Sequence, residues 1–293
     1  MPYGQWDAPK LPVYGCLTGI TIREASIDLL PGIRLKRVYV DTFGVTMMAF
    51  APPKPPDLAH PRPWAAVHGG FNFESRVEVE LTDLNACEGL TPSVGIWLVA
   101  ALLRLRVTTP IRLAVLGNIP FDKMGAHWKE AKAVALESAP HQIGIFTAPT
   151  AELTDIEVSW LRHVLPTAAR LYRNERFFRA FSVFDQAQWT PTPEIGTVLV
   201  WTAIEILFDL ASEREKTRAI CKALSDYVGA DESDRDRAYG VIRDLYYRRG
   251  QTVHAGRNIE AQHVAQSFRF ASVAFQRVLD EGMLPPPRIE TFH

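Results

Sequence analysis

Cysteine is scarce and scattered: Cys16, Cys87 and Cys221 are the only three in 293 residues. They form neither a CxxC pair nor a Cys/His cluster, which argues against a disulfide framework and a structural zinc site. Long apolar runs are missing as well. The longest, such as 94–103, fall well short of the ~20 residues needed to span a bilayer, so no membrane partner is expected. An excess of one charge is also absent, with 32 Lys+Arg against 33 Asp+Glu and a formal net charge of −1. A nucleic acid is therefore not drawn in by the molecule as a whole, and any such contact must come from a local patch. The opening MPYGQWDAPKLP lacks the basic-then-apolar pattern of a signal peptide, and a cytoplasmic location is expected. There is no internal repeat and no low-complexity segment.

Hydrophobic residues at 47% and charged residues at 22% are the proportions of an ordinary globular protein. A chain of this length suits two domains better than one. Lysine nearly disappears in the second half: from residue 151 onward, 16 of 18 basic residues are Arg, against 20 acidic residues. Arginine suits planar, bidentate contact with phosphate or carboxylate, although a GC-rich genome produces the same bias.

Residues 12–82 carry short strand signals separated by turns. Segments 27–30, 34–40 and 45–50 precede Pro31-Gly32, Asp41 and the cluster Pro52-Pro53-Lys54-Pro55-Pro56. That cluster and Pro61-Arg62-Pro63 read as a stiff loop, because proline gives a sheet no amide donor. Segment 76–81 alternates polar and apolar residues with the period of a half-buried strand. A helix is predicted at about 92–105, with Thr91 as N-cap and Pro92 at N1. Further strands are predicted at 111–116 and 143–146, with a helix near 124–137 between them. From 151 onward the pattern is helical: 154–173, 174–188, 193–210, 213–228, 233–253 and 261–281. Ser233 with Asp236 resembles a short capping box, and Gly229 and Gly256 stand where C-terminal caps belong. The fold class is α+β, a β-rich α+β domain over 1–150 followed by an all-α bundle over 151–293.

Three of these helices carry a family likeness. Segment 200–208 contains Trp201 and Glu205 at a Trp-x-x-x-Glu spacing, 213–229 bears arginine, and a later helix reads Leu245-Tyr246-x-x-Arg249-x-x-x-x-His254 with Gly256 close behind. Together they resemble Apea-like HEPN domains over roughly 155–280, nearly half the chain. Gly250 departs from the family's polar residue after the arginine. A helix-interior glycine costs ~1 kcal/mol relative to Ala, which makes a bend or break there an expectation. Arg248 is an alternative motif arginine, with five intervening residues instead of four.

The resemblance implies a dimeric, metal-independent endoribonuclease of the toxin or phage-defence kind, with RNA as substrate and no cofactor. Residues 1–150 would then serve as sensor, regulator or substrate platform, with a regulatory partner or ligand of their own. The residue types fit that chemistry. Histidine transfers protons near neutral pH, and the arginine fork stabilises charge developing on a phosphate. Five positions along one straight helix turn the second residue about 140° from the first. Arg249 and His254 of one copy therefore make no tight site, and a two-fold dimer is the attractive solution. Trp201, Phe208 and Tyr246 are the expected interface, and both motif side chains are expected to face a solvent-filled cleft.

Each residue also has a plainer reading. His254 is suited to a helix C-terminus, and Arg249 to a surface ion pair with Asp244 or Glu260. Glu205, on a largely buried helix, either orients the motif arginine or caps a neighbouring helix. Tyr246 or Tyr247 stacks on a base, the other belonging to the core. Gln251 and Arg248 complete the supporting set. The alternative function is a catalytically silent HEPN dimer, a binding or assembly module. The acidic run 231–236 lacks the glycine and terminal glutamate of a calcium loop. His68-Gly69-Gly70 is similar to an esterase oxyanion loop, but no Gly-x-Ser-x-Gly accompanies it.

Overall fold

The computed structural model describes residues 10–43, 48–49, 65–66, 72–87, 89–137, 149–190, 192–209 and 216–286, with 42–43, 48–49, 65–66, 72–73, 216 and 254–255 described by their backbone alone. The proline clusters 52–56 and 61–63, the His68-Gly69-Gly70 string and the strand expected at 143–146 lie outside the described residues.

The first part builds an antiparallel sheet. Its strands in chain order begin with β1 (Val13–Thr18), β2 (Ile20–Thr21), β3 (Ser26–Leu30), β4 (Ile33–Phe43) and β5 (Met48–Ala49). They continue with β6 (Ala65–Ala66), β7 (Asn72–Leu81), β8 (Arg112–Gly117), β9 (Ala133–Ala135) and β10 (Ala151–Glu152). Six of them join in the order β3-β4-β7-β1-β8-β9, while β10 pairs with β2 and β5 with β6. Pairing sets the two faces. Leu17, Ile33, Leu35, Val77, Val79 and Leu81 enter the main core, whereas Tyr14, Cys16, Ala114, Val115 and Phe121 form a small cluster of their own.

Helix α1 (Pro92–Arg106) lies over the sheet, capped by the Thr91 side chain with Pro92 at its start, as the sequence suggests. Every residue from 95 to 105 is buried, because the helix is apolar all round and has neighbours on all sides. The sheet lies on one side, and α2 (Asp155–Tyr172) and α7 (Ala261–Glu281) pack on others. Gly15 makes the close approach to the sheet feasible: a Cβ there would stand 2.6 Å from Ile96 Cγ2.

The remaining helices are α3 (Glu175–Gln186), α4 (Pro193–Leu207), α5 (Lys216–Val228) and α6 (Glu232–Ala255). Thr154 and Glu157 form a full capping box at α2, and Asn174 caps α3. The fold is thus α+β, an antiparallel sheet followed by a helical region. One apolar core runs through both parts. Among the described residues no helix is long and apolar enough to cross a membrane.

Three local expectations need correction. Segment 124–137 is not a helix. A 3-10 turn at Phe121–Lys123 leads into irregular turns and then β9, which pairs with β8. Asn118 organises the segment by accepting from the Lys132 amide at 2.6 Å and donating to the Glu130 carbonyl at 3.0 Å. Trp128 is 71% exposed, so the one large aromatic of the segment contributes no burial that would hold a helix here. The cap of α6 is Asp231, which accepts from the Asp234 amide, and Ser233 falls within the first turn. Gly250 does not break α6, which runs on to Ala255 and stops at Gly256 with φ 60°. The ~1 kcal/mol glycine penalty is small beside the burial of Ile242, Leu245 and Tyr246 on the same helix.

Candidate functional site

The motif residues come together where α4 packs against α6. On α4, Trp201 and Glu205 are four residues apart and share a face; on α6, Tyr246 and Arg249 are three apart and do the same. Trp201 meets Tyr246 edge-on, with ring centroids 5.2 Å apart. The Tyr246 hydroxyl donates to Glu205 Oε1 at 2.8 Å. Arg249 brings Nη2 to 3.8 Å from the same oxygen, with its guanidinium 5.6 Å from the Tyr246 ring centroid. Burial, then the hydrogen bond to Glu205, pushes the Tyr246 pKa up, so the phenol stays a proton donor at neutral pH. A buried carboxylate is costly unless paired, and here the tyrosine and the arginine both engage it. Of the two roles open to Glu205, holding the motif arginine matches this geometry.

Arg248 and Arg249 divide along the helix turn. Arg248 points outward and donates to Asp244 at 2.7 Å, four residues back. Arg249 points inward, its side chain 19% exposed. Asp244 therefore serves Arg248, and the counter-ion of Arg249 is Glu205. The expectation that Arg249 faces a solvent-filled cleft does not hold, because the α4–α6 contact covers most of it. Two donor nitrogens are shut in by this contact. Arg249 Nε and Trp201 Nε1 are buried with no hydrogen-bond partner among the described residues. His254 sits in the last turn of α6 by its backbone, and its side chain lies outside the described residues.

The expected dimer contacts need correction too. Trp201, Phe208 and Tyr246 are 0%, 4% and 8% exposed. They fill the chain's own core and are not available to a second copy. The two tyrosines separate cleanly: Tyr246 belongs to the core, and Tyr247 is 63% exposed. Gln251 is partly buried.

Two features escaped the sequence. The first is a cavity of about 410 Å³ beside Glu205, lined also by Asn174, Arg176, Arg179, Ile206 and Asp209. Arg176 is fixed at its edge by a 2.6 Å bond to the Pro285 carbonyl. No sequence pattern links α3 to Glu205, so this grouping has no short-range signal. The second is a buried charge network. Arg104 on α1 grips Asp185 on α3 with Nε–Oδ1 and Nη2–Oδ2 both 2.8 Å, and reaches Glu137 at 3.0 Å. Glu137 also accepts from the Leu113 amide at 2.6 Å, and Trp97 Nε1 donates to Asp185 at 3.2 Å. Burial lowers the pKa of nearby Arg112, and Glu137 opposes that shift. A lone Arg inside the apolar run 94–105 was the available clue.

Comparison of the chain with family models, with curated proteins and with solved structures found no match. The site is read from its own geometry.

Proposed function

We propose that this protein is a metal-independent endoribonuclease of the toxin or defence type, acting through Arg249 and His254 as an Apea-like HEPN dimer. The observation that carries the reading is the hold on Arg249: a buried Glu205, itself bonded to Tyr246, fixes the motif arginine on the helix that ends with His254. A fixed cation is what preorganised charge stabilisation requires. In the reaction a base removes the proton from a ribose 2′-hydroxyl, and O2′ attacks the adjacent phosphorus. The P–O5′ bond then breaks, and an acid protonates the leaving O5′. Histidine suits both proton transfers, and arginine suits the charge on the phosphorane. The products are a 2′,3′-cyclic phosphate and a 5′-hydroxyl. The expected result is cleavage of single-stranded RNA in EDTA with those ends, identified by mass spectrometry. Activity lost in chelator and restored by magnesium refutes the mechanism.

Because α6 runs unbroken, Arg249 and His254 stand about 140° apart around it, and two copies are needed to supply both proton-transfer groups. Light scattering is expected to give a dimer at micromolar concentration. A monomer with full activity overturns that part. Residues 1–150 act in this reading as sensor, regulator or substrate platform.

The burial of Arg249 against Glu205 favours a second reading, a catalytically silent dimeric module in which the pair holds the bundle together. Under it the chain cuts no RNA under any condition, and the same assay separates the two.

A further inference from the structure

One face of α6 is unused by the packing described above. Arg243, Tyr247, Gly250 and Gln251 stand at spacings of four, three and one, a single stripe along the helix that rises ~12 Å. Arg243 is exposed and Tyr247 is 63% exposed. The Tyr247 ring makes no ring contact with another described residue, unlike Trp201, Tyr246 and Phe208 within the bundle. Beside it the helix surface is bare, because Gly250 has no side chain and a Cβ there would meet nothing within 4 Å. An exposed aromatic thus stands next to a bare turn.

The sequence around Tyr247 is richer in arginine than the chain as a whole. From 240 to 257 the sequence holds Arg243, Arg248, Arg249 and Arg257 against Asp244 alone, whereas 231–237 holds four acids and two arginines. Asp244 answers Arg248 and Glu205 answers Arg249, which leaves Arg243 and Arg257 to meet a phosphate, and Arg243 shares the stripe with Tyr247.

We infer that Tyr247 and the bare turn at Gly250 form a stacking platform for one unpaired base of single-stranded RNA, which places the adjoining phosphate beside Arg243. The ligand class follows from the ribonuclease reading; the platform itself rests on the exposed ring, the bare turn and the local charge. A duplex keeps its bases stacked on one another and offers none to the ring, so the surface selects single strands. Phosphate attraction alone would not.

The test measures binding of a dye-labelled single-stranded 2′-deoxy oligonucleotide, which lacks the attacking hydroxyl, to the full chain, with its duplex as comparison. Tyr247→Ala is expected to weaken single-strand binding by roughly five- to a hundredfold, the loss of one stacked base, and Tyr247→Phe to preserve it within about twofold. Gly250→Leu covers the bare turn and improves helix propensity, so it should raise the melting temperature while weakening binding. A merely structural glycine would not link those opposite changes. Equal binding by the parent and Tyr247→Ala, equal binding of duplex and single strand, or no binding by the parent overturns the platform, whatever the RNA assay gives. Tyr247-dependent binding without RNA cleavage keeps the platform and removes the ribonuclease reading.

Discussion

His254→Ala is expected to slow RNA cleavage by ~10²–10⁴-fold, the usual contribution of a positioned proton-transfer group. The residue stands in the last turn of α6, ahead of the left-handed Gly256. A cationic histidine there adds ~0.3–1 kcal/mol through the helix dipole, so the melting temperature should fall by a few degrees at most. The companion variant must be chosen with the packing in mind. Arg249→Ala would strip Glu205 of its cation in a covered site, and a buried carboxylate that loses its counter-charge costs on the order of 1–3 kcal/mol even with Tyr246 still bonded to it. Stability and activity would then fall together and decide nothing. Arg249→Lys keeps a positive charge opposite Glu205 but loses the planar fork. It should cost ~10²-fold or more in rate, with a much smaller effect on melting. Arg248→Ala removes an exposed ion pair worth ~0–1 kcal/mol and should leave cleavage close to the parent's. Growth, RNA integrity and melting temperature measured side by side check all three. Melting that falls in step with activity in His254→Ala and Arg249→Lys would assign both residues to the fold and withdraw the catalytic role.

The largest stability effect is expected far from the motif, at Arg104. Its side chain is 1% exposed and is held by Asp185 and Glu137, each nearly as buried. Arg104→Met fills similar volume but leaves two carboxylates facing each other without their shared cation. Breaking a buried pair in this way costs ~3–5 kcal/mol, a large part of the ~5–15 kcal/mol that typically holds a domain together. Thermal unfolding should drop by on the order of 10 °C, or the chain should fail to accumulate. Combining Arg104→Met with Asp185→Leu and Glu137→Gln should recover much of the loss, because desolvation of the stranded charges is the main penalty. A single Arg104→Met variant that melts with the parent would mean that the network adds nothing.

The helical half was legible because its signals are local. Caps at Thr154 and Asn174, the stop at Gly256 and three- and four-residue apolar spacing place α2 to α7 to within a turn. The sheet was legible only in part. Strands β3, β4, β7 and β8 are signalled by their own alternation or β-branched runs, but the stretch 124–137 has helix-forming residues, and the pairing of its Ala133–Ala135 with β8 decides its fate. At the site, the spacing of Trp201 with Glu205 and of Tyr246 with Arg249 singled out four residues that the fold brings into contact. The enclosure of Arg249 was not readable, because it arises from α4 and α6 meeting across some forty residues of chain. The same long-range origin hid the Arg104 network, whose members lie on α1, on α3 and after β9.

The place of α1 bears on how the protein comes into being. Strand β1 is made first but sits between β7 and β8, so it waits for residue 117 to find its second neighbour. Helix α1 waits longer: its far side is covered by α2 and α7, and Gln276 near the end of the chain bonds the Leu105 carbonyl and receives Arg106. During synthesis at ~5–20 residues per second, a helix apolar on every side is left without a complete shelter for many seconds. Nascent chains therefore carry exposed apolar surface over that interval, the condition that favours aggregation. Ribosome stalling between α1 and α7 would favour aggregate over a half-active fragment, and the motif helix would come into service only once α7 has left the exit tunnel.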